Sequence, residues 1–350
     1  MSAELWRPTA GCGPACLPPA RRGEVSSVRR VARLLGVLGM VLVGAGVVVL
    51  LPVLPAAERA AAVRGWARGT AGALGVRLAV RGRLPRRRAL LVANHVSWLD
   101  ILAVLAVAPA RLLAKREVRR WPLLGLLARA GGALFVDRSR PRDLPHTVAR
   151  IAATLRAGHP VAVFPEGTTW CGVAPSTDCR PRRGFRPAAF QAAIDAGAPV
   201  VPLRISYRSA TTGATTTTAA FLGDETLWRS VRRVVAARDL VVDVAVTAAL
   251  HPAPGADRRL LARTAESAVH LLPPRPVPGR PTLAAVAPVA APISVALPGP
   301  VVAPASGFVP GPVVAPASGF VPGPVVAPGP VVAPAPVVAP AAGAGLRLAA

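Results

Sequence analysis

The chain has 350 residues, of which 42 are Lys or Arg and 16 are Asp or Glu, and its formal net charge is +26. Such a charge favours an anionic partner, either nucleic acid or an anionic membrane surface. Nucleic-acid binding is disfavoured because the arginines are scattered, and neither a basic strand interleaved with aromatic residues nor a zinc-spaced cluster is present.

The first predicted elements are a leader and a membrane segment. Residues 1–33 contain many Pro, Gly and Arg residues and are predicted to be a basic, disordered leader. Residues 34–54 are 21 uncharged residues, enough to cross a bilayer core of about 30 Å, and no clear cleavage site follows them. Residues 58–78 are predicted to be an amphipathic helix, so that residues 34–80 form the membrane-associated region. Arginines flank the apolar run on both sides and leave its orientation open, but we expect a cytoplasmic catalytic region.

Residues 81–272 alternate apolar runs with helical patterns, which predicts an α/β fold with a mixed β-sheet flanked by helices. The predicted strands are residues 89–93, 111–115, 133–136, 161–164, 200–206 and 240–246. The predicted helices are residues 98–106, 123–130, 144–157, 187–196 and 257–271.

The C-terminal region, residues 273–350, is predicted to be a disordered tail. Residues 299–310 read GPVVAPASGFVP, and the same twelve residues recur at 311–322. So many prolines exclude helices and sheet ladders, which favours disorder or polyproline II structure.

Four cysteines form two local pairs, Cys12 with Cys16 and Cys171 with Cys179. Either pair is compatible with a metal site or a disulfide, but two ligands four or eight residues apart specify neither. We therefore interpret them as free thiols in a reducing compartment, and no metal is included in the predicted site.

The strongest candidate site follows the first predicted strand of the α/β region, where Asn94, His95, Ser97 and Asp100 precede an apolar helix. On one continuous helix His95 and Asp100 would point about 140° apart. They meet only if His95 lies in the entry loop and Asp100 reaches back to it. The carboxylate would then hold one imidazole nitrogen and leave the other as a general base. Alternatively, His95 is a structural histidine, and Asn94 or Ser97 caps the helix.

Three further clusters follow. Residues 131–138, GGALFVDR, end in Arg138, which is suited to bind a phosphate through two hydrogen bonds. Residues 163–169, VFPEGTT, place Glu166, Gly167 and Thr168 at the carboxyl end of a strand, where open α/β sheets bind ligands. Pro202 interrupts the strand at 200–206 and predicts an edge or a bulge.

Together these residues resemble one family, the 1-acylglycerol-3-phosphate acyltransferases and related lysophospholipid and glycerolipid acyltransferases. The resemblance covers residues 84–250 and is carried by four blocks in order: residues 94–100 (NHVSWLD), 131–138, 164–168 (FPEGT) and 201–203 (VPL). The connection AKRE at 114–117 followed by WPLLG at 121–125 is also similar to this family.

The resemblance implies roles for these residues. His95 and Asp100 would activate an acceptor hydroxyl for attack on an acyl thioester, without an acyl-enzyme intermediate. Arg138 would bind the phosphate of the lysolipid, and Glu166, Gly167 and Thr168 would position its glycerol phosphate. Asn94 and Ser97 would support the loop. No cofactor or metal is expected; acyl-CoA or acyl-ACP (acyl carrier protein) would be the co-substrate, and membrane lipids are the expected partners.

The expected activity is acylation of lysophosphatidic acid to phosphatidic acid, in phospholipid biosynthesis at the cell membrane of a bacterium. Another acceptor, such as a lyso-ornithine lipid, fits the same blocks, and Thr169 stands where many family members carry Arg or Ser. Residues 170–184 are predicted to form a basic loop that would contact an anionic head group or donor phosphates, or would simply be solvated; its arginines, with the one just beyond it, are Arg180, Arg182, Arg183 and Arg186. Chain length of the acyl group and oligomeric state are left open.

Two rivals belong to other classes. A lipid hydrolase would use Ser97 as nucleophile and His95 as base, but Ser97 lacks the Gly-x-Ser-x-Gly elbow that exposes such a serine. A non-catalytic membrane scaffold would use its Pro-rich tail to bind partners, and the intact His95, Asp100 and Glu166 argue against it.

Overall fold

The structure is a computed structural model that describes residues 8–18, 24–85, 88–173, 179, 181 and 184–271. The predicted C-terminal tail lies outside the described residues.

A seven-stranded sheet forms the centre of the α/β region, with strand order β1-β7-β6-β2-β5-β3-β4. Every neighbouring pair is parallel except β6 and β7, which are antiparallel. This arrangement confirms the predicted mixed sheet. The strands are β1 (Arg77–Arg81), β2 (Leu90–Ala93), β3 (Arg111–Lys115), β4 (Leu134–Val136), β5 (Val161–Val163), β6 (Val200–Ser209) and β7 (Leu240–Val246).

Helices cover both faces of the sheet. They are α1 (Ser27–Leu50), α2 (Ala56–Ala73), α3 (Leu99–Val107), α4 (Pro122–Ala130), α5 (Leu144–Arg156), α6 (Ala188–Ala196), α7 (Leu227–Ala236) and α8 (Arg258–His270). Leu91 of the fully buried strand β2 belongs to the core formed with α3 and α7, whereas Leu90 and Val92 belong to the core formed with α5, α6 and α8. A strand buried on both faces reads as a continuous apolar run, which is why β2 was visible in the sequence.

The N-terminal region differs from the predicted disordered leader. Helix α1 already begins at Ser27, and Arg33 donates hydrogen bonds to the carbonyl oxygens of Val235 and Ala237 at the end of α7. Before the helix, Val25 is buried and its N–H donates to the carbonyl oxygen of Ala236. Contacts with the folded core therefore order parts of a segment whose composition alone predicts disorder.

Helix α1 packs against α2, which confirms that a second helix follows the apolar segment. The indole of Trp66 donates to the carbonyl oxygen of Met40 at 2.8 Å, and Gly44 leaves room for the Trp66 ring. Among the described residues, α1 alone has the length and apolar composition needed to cross a membrane. The predicted helix at 58–78 ends earlier, because its last residues form β1, which pairs with β7.

Strand β6 lies inside the sheet although it contains Pro202. Its ladder with β7 stops at Leu203↔Val246 and resumes at the bridge Val200↔Leu250. Two residues of β6 therefore lie opposite three residues of the returning chain. This irregularity is a bulge, the second of the two outcomes that the proline predicts.

Candidate active site

The catalytic loop, residues 94–98, connects β2 to α3 and brings His95 and Asp100 together. Asp100 lies in the first turn of α3, is fully buried, and holds its Oδ2 atom 2.9 Å from Nδ1 of His95. The same Oδ2 accepts the N–H groups of Val96 at 2.6 Å and Ser97 at 2.8 Å. Asp100 thus reaches back to a histidine in the entry loop, which is the geometry that the five-residue spacing requires, and the contact occupies Nδ1 rather than Nε2 of His95.

Tyr207, on β6, contacts the second carboxylate oxygen of Asp100. Its hydroxyl donates to Oδ1 of Asp100, and burial together with the nearby carboxylate raises the pKa of Tyr207 well above its usual value. Tyr207 is therefore a neutral donor to a buried carboxylate. Nothing local to residue 207 distinguishes it from any other aromatic residue on a strand, so this contact was not predictable from the sequence.

Replacing Tyr207 with Phe is expected to destabilise the fold by about 1–3 kcal/mol, because the buried Oδ1 of Asp100 loses its hydroxyl donor. Thermal unfolding of the detergent-solubilised protein measures this effect. Ser209→Ala is the matched control, since Ser209 lies on the same strand and donates to Asp239 at a partly exposed site where water can substitute. Equal destabilisation by the two variants would contradict the special role of Tyr207.

The ring of His95 is held in place by Phe164, the first residue of the FPEGT segment (residues 164–168). The two rings stack with centroids 4.1 Å apart and an interplanar angle of 15°. The N–H of Trp170 donates to the carbonyl oxygen of His95 at 3.1 Å. The FPEGT segment therefore supports His95 directly, because β2 and β5 are parallel neighbours whose carboxyl ends meet at one edge of the sheet.

Glu166 is turned inward, towards protein donors. Its Oε2 accepts the N–H of His95 at 2.6 Å, both carboxylate oxygens lie 3.1 Å from the indole nitrogen of Trp170, and Oε1 lies 3.4 Å from Nε2 of His270. Burial raises the pKa of Glu166, and the donors from His270 and His95 oppose that shift. Among the described residues, Glu166 holds the catalytic loop through the N–H of His95, and its role in positioning the glycerol phosphate stays a prediction.

Gly167 and Arg138 follow strands β5 and β4 and contact each other at the same edge of the sheet as His95. Nη1 of Arg138 donates to the carbonyl oxygen of Gly167 at 2.7 Å, and Thr168 follows, partly buried. Arg186 is the second arginine here, since a Cβ at Gly167 would be 3.7 Å from its Nε. Burial and the nearby charge of Arg186 lower the pKa of Arg138. Burial and the charge of Arg138 likewise lower the pKa of Lys115. Three cations thus lie near one edge of the sheet.

Asn94 and Ser97 make contacts within the protein. The amide of Asn94 donates to the carbonyl oxygen of Ile205 and accepts from the Ile205 N–H, each at 2.8 Å, which ties the catalytic loop to β6. Ser97 is fully buried, and its Oγ accepts the N–H of Leu99 at 3.2 Å. Both contacts are of the kind expected of residues that support the loop.

Replacing Gly167 with Ala is expected to lower both stability and activity. Gly167 has φ of +74°, and a Cβ there would lie 2.8 Å from Cγ of Pro8. Gly158→Ala is the control, because Gly158 has φ of +85° with nothing within 4 Å of the added Cβ. The left-handed conformation alone costs about 1–2 kcal/mol in each variant. Only Gly167→Ala should show a further fall in melting temperature, and equal shifts would mean that the Pro8 contact is unimportant.

The chain is similar in sequence to known acyltransferases. A family model described as Acyltransferase matches residues 77–206. A lyso-ornithine lipid O-acyltransferase of Pseudomonas aeruginosa is 37% identical over 246 residues, which cover 69% of this chain and 91% of that protein. A 1-acyl-sn-glycerol-3-phosphate acyltransferase of Neisseria gonorrhoeae is 33% identical over 214 residues, which cover 61% and 80%.

A structural comparison matches the crystal structure of PlsC, the 1-acyl-sn-glycerophosphate acyltransferase of Thermotoga maritima. The TM-score is 0.48 at 20% identity, over 69% of this chain and 94% of that one. The sequence match to the Pseudomonas protein extends over nearly the whole length of that protein, and this settles the assignment. The chain belongs to the acyltransferase family.

Proposed function

We propose that this enzyme transfers a fatty acyl chain from acyl-CoA or acyl-ACP to the free hydroxyl of a lysophospholipid, with lysophosphatidic acid as acceptor and phosphatidic acid as product. The observation that carries the proposal is the His95–Asp100 pair at the same sheet edge as Arg138 and Arg186. A general base beside a cluster of cations suits an acceptor that carries both a hydroxyl and a phosphate.

The reaction begins when Nε2 of His95 takes the proton of the acceptor hydroxyl. The oxygen attacks the thioester carbonyl, the C–S bond breaks, and the departing thiolate receives the proton from His95. Asp100 fixes the imidazole tautomer through Nδ1 and stabilises the charged ring between the two proton transfers. Every proton and electron pair is accounted for by His95, the hydroxyl and the thioester.

The phosphate of the acceptor would be bound by Arg138 and Arg186, with Lys115 contributing charge. The desolvation of Arg138 and the mutual repulsion of these cations favour an anion between them. Gly167 packs against Pro8, and a Cβ added to it would lie 3.7 Å from Nε of Arg186. Glu166 and Thr168 would then act by holding the shape of this pocket.

A lyso-ornithine lipid is the second candidate acceptor. The relatives of that name include the Pseudomonas protein matched over 91% of its length. Its head group carries a carboxylate in place of a phosphate, and the same cations suit either anion. Thr169 is uncharged and adds no positive charge for a phosphate, and its hydroxyl donates to the carbonyl oxygen of Phe221.

The deciding experiment is acyl transfer from labelled oleoyl-CoA or acyl-ACP to a panel of lysolipids. Membranes containing wild type are compared with membranes containing His95→Ala. We expect lysophosphatidic acid to be acylated by wild type and not by the variant. Transfer only to a lyso-ornithine lipid would replace the acceptor and keep the mechanism, whereas transfer to no lysolipid would overturn the proposal.

Helix α1 would anchor the enzyme to the bacterial cell membrane, with the catalytic region on the cytoplasmic face. Leu42 on α1 is 67% exposed, as expected of a lipid-facing residue. Leu42→Asp should weaken binding to anionic phospholipid vesicles roughly hundredfold, since an acidic residue in a membrane helix costs about 3 kcal/mol. Leu260→Asp is the control, because Leu260 is 57% exposed but lies on α8. Equal vesicle flotation of wild type and Leu42→Asp would contradict the anchor.

A further inference from the structure

Four cysteines that are distant in the chain converge beside the catalytic loop. Cys12 and Cys16 lie on the segment formed by residues 8–18, whereas Cys171 and Cys179 follow the FPEGT segment. Their Sγ atoms all lie within 4.8 Å of one another, and none of the four cysteines forms a disulfide. Cys171 and Cys179 are buried, and Cys12 and Cys16 are partly buried. The two local pairs considered in the sequence are therefore one cluster.

We propose that these four sulfurs bind one zinc ion, in a site whose ligands are all cysteine thiolates. Zinc with four thiolate ligands is tetrahedral, with Zn–S distances of about 2.3 Å, so neighbouring sulfurs lie about 3.8 Å apart. The Sγ atoms of Cys16 and Cys179 are 3.8 Å apart. Because all the other sulfur pairs lie within 4.8 Å, small side-chain adjustments would place the four ligands around one ion.

The convergence of all four sulfurs distinguishes this arrangement from disulfides. Two disulfides would need two separate pairs with sulfurs about 2.0 Å apart, and they would give no reason for the pairs to share one centre. A tetrahedral ion requires that shared centre. Soft thiolate ligands in a tetrahedral set of four select zinc or iron, and zinc is the usual ion of closed structural sites.

The backbone around the cluster supports coordinated sulfurs. The N–H of Cys171 donates to Sγ of Cys12 at 3.3 Å, and hydrogen bonds of this kind stabilise a ligand that carries negative charge. Cys12 and Cys16 are joined by a tight turn in which the N–H of Cys16 donates to the carbonyl oxygen of Gly13 at 3.0 Å. This turn brings the first two ligands to the same side of the segment.

The ion would have a structural role close to the catalytic machinery. Cys171 directly follows Trp170, whose N–H donates to His95 and whose indole donates to Glu166. Residues 8–18 also contact the FPEGT segment, because Pro8 lies against Gly167: a Cβ added to Gly167 would be 2.8 Å from Cγ of Pro8. Zinc would therefore fasten residues 8–18 onto the loop that supports His95, without touching the reacting atoms.

The test is the metal content of the full-length protein, purified in detergent under reducing conditions through a tag that does not bind metal. The protein is incubated with equimolar zinc, dialysed and measured by plasma mass spectrometry. We expect about one zinc ion per chain. Cobalt(II) exchanged for zinc should show the visible absorption of tetrahedral thiolate coordination. Four thiols that stay reactive after zinc treatment, two disulfides, or iron instead of zinc would overturn the proposal.

Matched variants locate the site. Cys12→Ser and Cys171→Ser should lower retained zinc by more than about tenfold, since even loss of an outer-shell partner weakens metal affinity about 10- to 100-fold. Val173→Ser, an exposed position two residues beyond Cys171, should retain zinc. Cys12 lies outside the sheet, and circular dichroism verifies that its variant is folded. Wild-type zinc content in Cys12→Ser would refute the site, and no outcome depends on acyl transfer.

Discussion

Replacing His95 with Gln is expected to lower kcat for acyl transfer by about 10²–10⁴-fold, the range that a general base contributes. Gln lacks a nitrogen that can take the proton of the acceptor hydroxyl, whereas the buried Asp100 still has its other donors from Val96, Ser97 and Tyr207. The fold should therefore persist. Initial rates with labelled acyl donor, measured on membranes with matched protein content, test this prediction.

Ser97→Ala is the control for that variant and separates acyl transfer from the rival hydrolase. Because Ser97 is fully buried and its Oγ accepts the N–H of Leu99, we expect a loss of about 0.5–2 kcal/mol in stability, as for a helix cap, with most of kcat retained. If Ser97→Ala abolished turnover and wild type formed an acyl-serine adduct, Ser97 would be a nucleophile and the general-base mechanism would be wrong.

The scaffold alternative is tested by truncation. A chain that ends before residue 276 keeps every described residue of the site and loses the Pro-rich repeats. We expect unchanged acyl transfer, because the contacts that the described residues make with His95 and Asp100 come from β2, the catalytic loop, the FPEGT segment, Trp170 and β6. Loss of activity on truncation would assign the repeats a part in the reaction.

Replacing Arg138 or Arg186 with Ala is expected to raise the KM for lysophosphatidic acid by about 10- to 100-fold, since a hydrogen bond to a charged group contributes about 1.5–3 kcal/mol. The effect on kcat should be smaller, because neither arginine contacts the reacting hydroxyl in the proposed mechanism. Steady-state kinetics with varied lysolipid and saturating acyl donor separate the two parameters.

Arg140→Ala is the matched control. Arg140 lies two residues beyond Arg138, its side chain is 67% exposed, and its nearest carboxylate oxygen, on Asp137, is 4.0 Å away. We expect an unchanged KM, since such a surface contact contributes little. Equal effects of Arg138→Ala and Arg140→Ala would show that general positive charge at the membrane surface, rather than a phosphate site, controls acceptor binding.

The local parts of the fold and site were predictable from the sequence. Strands β3 and β7 have the predicted bounds, and the other four predicted strands differ only at their ends. Each is an apolar run that is buried against helices, so its composition reports its environment directly. The contact between His95 and Asp100 was also predictable, because both residues and the strand-to-helix junction lie within seven residues of the chain.

Elements that depend on distant partners were missed. Strand β1 has an arginine at each end and pairs with β7, so the pairing that makes it a strand comes from residues 241–245. Helix α7 did have a local signal, since Thr226 caps it by accepting the N–H of Arg229, but the basic residues that follow obscured its apolar stripe.

The sequence by itself determined the family, the order of the main elements and the meeting of His95 with Asp100, because these depend on short-range patterns. Only the tertiary structure revealed Tyr207 beneath Asp100, the inward direction of Glu166, Arg186 beside Gly167 and the single cluster of four cysteines. Each of these contacts joins residues from separate elements. Their geometry is decided by how strands and helices pack, and no spacing along the chain encodes the distance between two side chains that meet only after folding.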